Sequence, residues 1–351
     1  MFEDIFDDIT NEEYQLLNLD ELYWMWSRGV AYHHAGLAPI VKEFVEFLFI
    51  NRHIDILFAT ETLSLGINMP AKSIIIDSSF KYDGLKTRLI SKSEFLQLTG
   101  RAGRRGIDSK GYAYINYDKR VENSWYNDLF DLKPNNLKSS YSNSYGSVLN
   151  LNNKYGEKKG IEMIKKSFYS YQNKLNDKAL ETNYKAKLKV LNEMNYFTDL
   201  KKNKLLTETH RDNLILGIEM LNENNDIEFC LMFLASGIST SKYEISVHDK
   251  YNDLLTKYLI SQEKVNKLEA FSGVKNKINL DITWFSIFLE FYNSDNIEYT
   301  LSKFNVTLGD FIKACREASE ISQKVYSIYE IENFDKIAKK LKHNIIQKTM
   351  I

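Results

Sequence analysis

A short apolar run that opens into a polar, glycine-bearing loop constrains this chain most. Ile54-Asp-Ile-Leu-Phe58 leads directly into Ala59-Thr60-Glu61-Thr62-Leu-Ser-Leu-Gly66-Ile-Asn68-Met-Pro70. A brief apolar run of this kind predicts a buried strand. The hydroxyls, carboxylate and glycine that follow then fall on a strand-to-loop edge, where open α/β sheets bind ligands. Further on stands Gln97-Leu-Thr-Gly-Arg101-Ala-Gly-Arg104-Arg105-Gly106. Its arginines lie three apart in a glycine-punctuated turn, an arrangement that sets guanidinium groups on a phosphate chain. Arginine suits that task because its planar fork stays charged and donates two parallel hydrogen bonds.

The surrounding pattern supports an α/β first domain. Apolar runs at 29–33, 54–59, 73–77 and 111–117 predict strands, and stretches around 38–51 and 92–102 predict helices. Pro39 fits the first turn of the former helix, and Ser91 or Ser93 can cap the latter. Residues 118–136 are polar and loop-like. From 213 to the C-terminus the periodicity is mainly helical, over 213–222, 226–236, 247–269, 281–292, 296–303, 307–329 and 331–348.

Composition excludes several classes. At 351 residues, 44% hydrophobic and 26% charged, the chain is an ordinary globular sequence long enough for two or three domains. It has no apolar run of eighteen residues and no signal-like start, so no membrane partner is expected and an intracellular, cytoplasmic location is. Cys230 and Cys315 are isolated thiols, which points away from a disulfide framework and from a zinc site. His33 and His34 are adjacent on a strand and point to opposite faces, so no metal site is expected there. The net charge of −1 hides an asymmetry. Residues 1–26 hold eight carboxylates and no Lys or Arg, which leaves +7 for the rest, a body suited to phosphate contacts.

The two runs quoted first, with Val30-Ala-Tyr-His33-His34-Ala-Gly36-Leu37 upstream, resemble the second RecA-like domain of superfamily 2 helicases. More narrowly they resemble the superkiller-type DExH-box RNA helicases, through the Ala-Thr-Glu-Thr form of the middle motif and the Gly-Arg-Arg-Gly ending. Leu137 to Leu151 resembles the start of that family's winged helix, and Ser167 to Gln172 its end. Trp284 to Tyr292 and Leu308 to Arg316 resemble its helical C-terminal domain. The implied fold is a partial α/β RecA-like domain over 1–132, a winged-helix region over 137–215 and a mainly α-helical domain over 216–351.

The resemblance also implies roles. Arg101 and Arg104 match arginine fingers that reach the ATP γ-phosphate across an interdomain cleft. Gln97, Gly66 and Asn68 match nucleotide-binding positions. Thr60, Glu61 and Thr62 match the lining of the nucleic-acid path, with His34 and Gly36 near the strand backbone and Lys42 within reach of a phosphate. Lys313 and Arg316, one helical turn apart, match a channel wall. Tyr141, Tyr145, Tyr169 and Tyr171 either stack bases or pack the core.

Two parts of a complete motor are missing from the pattern. No Gly-Lys dipeptide occurs, so no GxxxxGK[ST] phosphate loop is present, and Asp20-Glu21-Leu22-Tyr23 only mimics the DExH carboxylates. The strand and helix that open the second RecA-like domain in the family are also missing, which predicts open sheet edges and an uncovered apolar face. The expected function is the C-terminal half of an ATP-dependent RNA helicase. It would act on single-stranded RNA with Mg-ATP, beside a chain that supplies the first RecA-like domain. The alternatives are a non-catalytic RNA-binding or scaffold remnant and a DNA-directed repair-type fragment.

Overall fold

The computed structural model describes residues 5–60, 71–82, 86–104, 106–130, 137–173, 177–238, 243–274 and 277–342. The chain divides into two units. The first is residues 1–137 with Thr307–Asp310, and most of the remainder forms the second.

In the first unit, α1 (Asn11–Leu16) and α2 (Leu19–Trp26) precede the strands. Thr10 and Glu13 close a reciprocal capping box on α1. Strand β1 (Val30–His33) runs parallel to β2 (Ile56–Ala59), with Val30 opposite Ile56 and His33 opposite Ala59. Parallel strands need a crossover, and α3 (Pro39–Ile50) supplies it, starting at Pro39 as expected. Its buried face, Ile40, Val41, Phe44, Val45 and Leu48, has helical spacing. Phe44 meets Phe6 and Trp26 edge-on at 5.2 and 4.9 Å, which ties the acidic N-terminal helices into the core.

Strand β3 (Ser73–Ile76) follows, then an antiparallel hairpin of β4 (Phe80–Tyr82) and β5 (Thr87–Leu89). Next come α4 (Lys92–Thr99) and β6 (Tyr112–Ile115), which lies parallel to β3 with Ile76 opposite Ile115. One side of that pair is dry. Ile76, Ile90, Phe95 and Leu129 form its core, with Ile74, Leu98, Ile115 and Trp125 packed around them. Leu129 belongs to α5 (Asn123–Phe130), in a stretch whose polar composition predicted a loop. Trp125, Tyr126 and Leu129 give that short helix enough apolar surface to seat it. The other side is open: Ile75 is 73% exposed and Tyr114 55%. On β2, Ile56 and Phe58 are likewise exposed.

The second unit is helical among its described residues. It contains α6 (Tyr145–Lys165), α7 (Phe168–Gln172), α8 (Asp177–Glu193), α9 (Leu200–Thr209) and α10 (Ile215–Ile218). The region expected to be a winged helix shows no strand among its described residues, so the strand pair of a wing is not part of what is seen. After it come α11 (Ile227–Ser236), α12 (Asn252–Ser272), α13 (Thr283–Ser294), α14 (Ile297–Phe304), α15 (Leu308–Tyr329) and α16 (Glu332–Lys340). Helix α11 is buried from Phe229 to Ser236, which explains its apolar character on every face.

A buried polar cluster links α6, α8 and α12 in this unit. The Tyr145 hydroxyl donates to Glu269 Oε1 at 2.8 Å, and the Ile278 amide donates to Glu269 Oε2 at 3.1 Å. Asp212 accepts from the Tyr145 and Gly146 amides and lies 3.6 Å from Lys187 Nζ. Burial raises the Glu269 pKa and lowers that of Lys187, the direction desolvation gives for each charge. Tyr145 is therefore a core residue, and it begins α6 because Ser144 caps there, which leaves Tyr141 ahead of the helix.

Candidate nucleotide and nucleic-acid site

The arginine-bearing turn grows out of α4. Ser91 accepts from the Glu94 amide while the Glu94 carboxylate accepts from the Ser91 amide at 2.7 Å. The same carboxylate takes two bonds from Arg88, at 2.8 and 2.9 Å, and one from Lys81 at 2.7 Å. These bonds, Arg88 foremost, hold Glu94 well below the usual carboxylate range and fix α4 to the β4–β5 hairpin. Gln97 projects from the exposed side of α4, one turn before the half-buried Arg101.

Past Gly100 the chain is pinned by backbone. The Ala71 amide donates to the Arg101 carbonyl at 3.0 Å, and the Gly103 amide donates to the Ala71 carbonyl at 2.7 Å. Gly103 has φ +91, which a side chain rarely adopts, and a Cβ at Gly111 would overlap the backbone of Ala102. Both glycines are needed for the turn to lie this close to the strand leading into β6. The Arg104 side chain is directed by Asp108. Its Nε and Nη2 donate to the two carboxylate oxygens at 2.6 and 2.9 Å, and its amide donates to Oδ2 at 3.0 Å. The Arg104 bonds bring the Asp108 pKa down to about 2.

The middle motif leaves β2 at its C-terminal end. Thr60 is exposed there, and its amide donates to the His33 carbonyl at 3.1 Å. His33 is buried and its Nε2 lies 2.9 Å from Glu46 Oε1, a packing role. His34 turns the other way: its ring stacks on Tyr32 at 5.5 Å, and its Nδ1 accepts from the Gly36 amide at 3.1 Å. The Gly36 carbonyl accepts from the Gly309 amide at 3.0 Å, so this loop is bound through its backbone. Lys42, in the first turns of α3, makes no ion pair among the described residues. Thus the ends of β1 and β2 carry His34, Gly36 and Thr60, whereas the turn after α4 carries Arg101 and Arg104.

The helicase conserved C-terminal domain family matches residues 8–106, the span that holds His34, Gly36, Lys42, Thr60, Arg101 and Arg104. Residues in the chain are 37% identical to the exosome RNA helicase MTR4 of Mus musculus over 172 residues, 49% of this chain and 16% of that protein. They are 33% identical to the DExH-box ATP-dependent RNA helicase DExH10 of Arabidopsis thaliana over 231 residues, 62% and 23% of the two chains. An uncharacterized helicase of Schizosaccharomyces pombe is 38% identical over 173 residues, 49% and 17%. About half of the chain is thus similar to helicases, DExH-box RNA helicases among them. The chain spans less than a quarter of the length of these three relatives.

Other candidate residues are not among the groups described above. Glu61, Thr62, Gly66 and Asn68 lie outside the described residues. Lys313 and Arg316 lie on α15 in the second unit, Lys313 exposed and Arg316 half-buried. Asp108 and Glu94 are the groups that motif reading missed. Glu94 was legible as the third residue after a capping serine. Asp108 was legible only as an acid four residues beyond Arg104. No helix is long and apolar enough to cross a membrane among the described residues.

Proposed function

We propose that this chain is the C-terminal part of an ATP-dependent RNA helicase motor, with Arg101 and Arg104 as its fingers toward the ATP γ-phosphate. The observation that carries the reading is the turn itself. Arg101 and Arg104 follow a helix with a reciprocal capping box, the Arg101 carbonyl and the Gly103 amide are bonded to Ala71, and Arg104 is aimed by Asp108. Positive groups held in place before charge develops are what phosphoryl transfer requires. A γ-phosphate would replace the Asp108 carboxylate as the acceptor for the Arg104 fork, the same bidentate geometry with a stronger anion.

In this reading ATP and Mg bind mainly to a first RecA-like domain on a partner chain, Gln97 and the Gly66–Asn68 segment complete the nucleotide side, and Thr60 to Thr62, His34, Gly36 and Lys42 follow the RNA backbone. Lys313 and Arg316 add a helical contact, and residues 137–215 act as the winged-helix region. The relatives named as RNA helicases support RNA over DNA as the strand. One experiment addresses both points. The chain is mixed with a first RecA-like domain that carries the phosphate loop, and ATP hydrolysis is followed with single-stranded RNA or DNA at one fixed salt concentration. Hydrolysis only in the mixture, with RNA the better stimulant, is expected. Better stimulation by DNA would favour a repair-type motor.

A second reading has one observation in its favour. Arg104 is already fully engaged by Asp108 within the chain, which also suits a structural turn in an RNA-binding remnant without catalysis. Retained RNA binding with no hydrolysis in any mixture would support it.

A further inference from the structure

The second unit carries a surface that the motif residues leave unexplained. Helix α6 kinks at Gly156, with φ 75 and ψ 168. Beyond the kink, Gly160, Ile161 and Ile164 face inward, and Gly160 lies so near the Tyr184 hydroxyl that a methyl group would collide. The other side of the helix is thereby turned to solvent. Lys159, Met163 and Lys166 succeed one another at four and three residues, share that side and are all exposed. Helix α7 follows at once and adds Phe168 and Tyr171, 50% and 72% exposed. Their rings stack 6.2 Å apart at 15°. Upstream, Lys154 Nζ sits 5.4 Å from the Tyr155 ring.

The charge here is basic and unspent. Residues 154–171 hold five lysines against Glu157 and Glu162. Lys165 is taken by Glu181 at 2.6 Å, whereas Lys154, Lys158, Lys159 and Lys166 form no ion pair among the described residues. Two large rings held parallel in water are a standing loss of apolar burial that a flat ligand would recover.

We propose that this face binds single-stranded RNA, with Lys154, Lys159 and Lys166 on phosphates and the Phe168–Tyr171 pair under the bases. A cationic track beside aromatic rings is how proteins hold single strands without reading sequence. An acidic peptide would meet the same lysines, but its carboxylates bring no aromatic face to the two parallel rings, whereas every base does. The surface shares only Tyr171 with the residues the resemblance singled out, needs neither ATP nor a partner chain, and stands apart from the finger assignment.

The test is binding of a fluorescent oligouridylate to the full chain over a salt series, with three variants. Phe168→Ala/Tyr171→Ala is expected to weaken binding about tenfold or more through lost stacking. Lys159→Ala/Lys166→Ala is expected to lower the salt slope by roughly 1.4, at about 0.7 per phosphate contact on a single strand. The third, Lys42→Ala/Thr60→Ala, reports on the motif path in the first unit. The four side chains substituted in the patch variants are exposed, so each of these variants should keep the wild-type circular dichroism and melting. Wild-type affinity and slope in both patch variants would overturn the proposal. If Lys42→Ala/Thr60→Ala alone weakens binding, the motif-path reading survives and the patch does not. Loss in the patch variants alone supports the patch and counts against the motif path.

Discussion

Arg104 and Asp108 meet through one backbone and two side-chain hydrogen bonds, so the position of this guanidinium is set before any ligand arrives. The Asp108 carboxyl sits lower in the folded chain than its ordinary value of about 3.9. A depressed carboxyl contributes stability above its unfolded pKa and loses it as pH falls through the folded one. The pair is therefore complete at neutral pH and fades only below about pH 4. An NMR titration should place the Asp108 carboxyl midpoint near 2 in the wild type and near its ordinary value in Arg104→Ala; the same midpoint in both would show that Arg104 is not its partner in solution. Tyr145 makes a second residue-scale prediction. Tyr145→Phe removes a donor from the fully buried Glu269 and should cost about 1–3 kcal/mol in chemical denaturation; an unchanged midpoint would mean that Glu269 finds another donor. At this scale the sequence disclosed positions better than partners. Arginines at fixed spacing among glycines are visible in a line of text. The approach of Glu46 to His33 or of Glu269 to Tyr145 depends on tertiary packing and leaves no local pattern.

Elements were legible where one signal dominated. The apolar runs became β1, β2, β3 and β6, although β2 and β6 are mostly exposed where buried strands were expected, and Pro39 and Ser91 start their helices as their chemistry requires. Helix α5 was not legible, because its three buried or half-buried side chains are scattered among Asn, Ser and Asp. The β4–β5 hairpin was not either: three-residue strands containing Lys81 and Arg88 carry no alternation, and Glu94 pairs with both only in the fold. That carboxylate is therefore the joint between elements. Glu94→Ala should loosen both α4 and the hairpin, at about 1–3 kcal/mol for a lost cap and charged hydrogen bonds, read as early hydrogen exchange across 80–99. Exchange confined to α4 would argue that the hairpin stands alone. Gly111→Ala is expected to displace the arginine turn, since the Cβ would meet backbone that cannot swing away. A cost of about 1–3 kcal/mol is typical of such overpacking, and a wild-type melting curve would contradict it.

Across the first unit, the described strands expose large apolar side chains. Phe58, Ile75 and Tyr114 lie open on strands of the two-stranded sheets seen among the described residues. The chain by itself should self-associate at high concentration, and Phe58→Lys/Ile75→Lys should reduce that in sedimentation. Monomeric behaviour of the wild type would show that these faces are harmless. In the proposed motor, Arg104 acts on a nucleotide held by another domain. RNA-stimulated ATP hydrolysis by the mixture with a first RecA-like domain tests it most directly, with Arg104→Ala beside the wild type. The account predicts hydrolysis by the wild-type mixture and a loss on the order of 10³-fold or more with Arg104→Ala, while the chain stays folded. Equal hydrolysis by the two mixtures would contradict it.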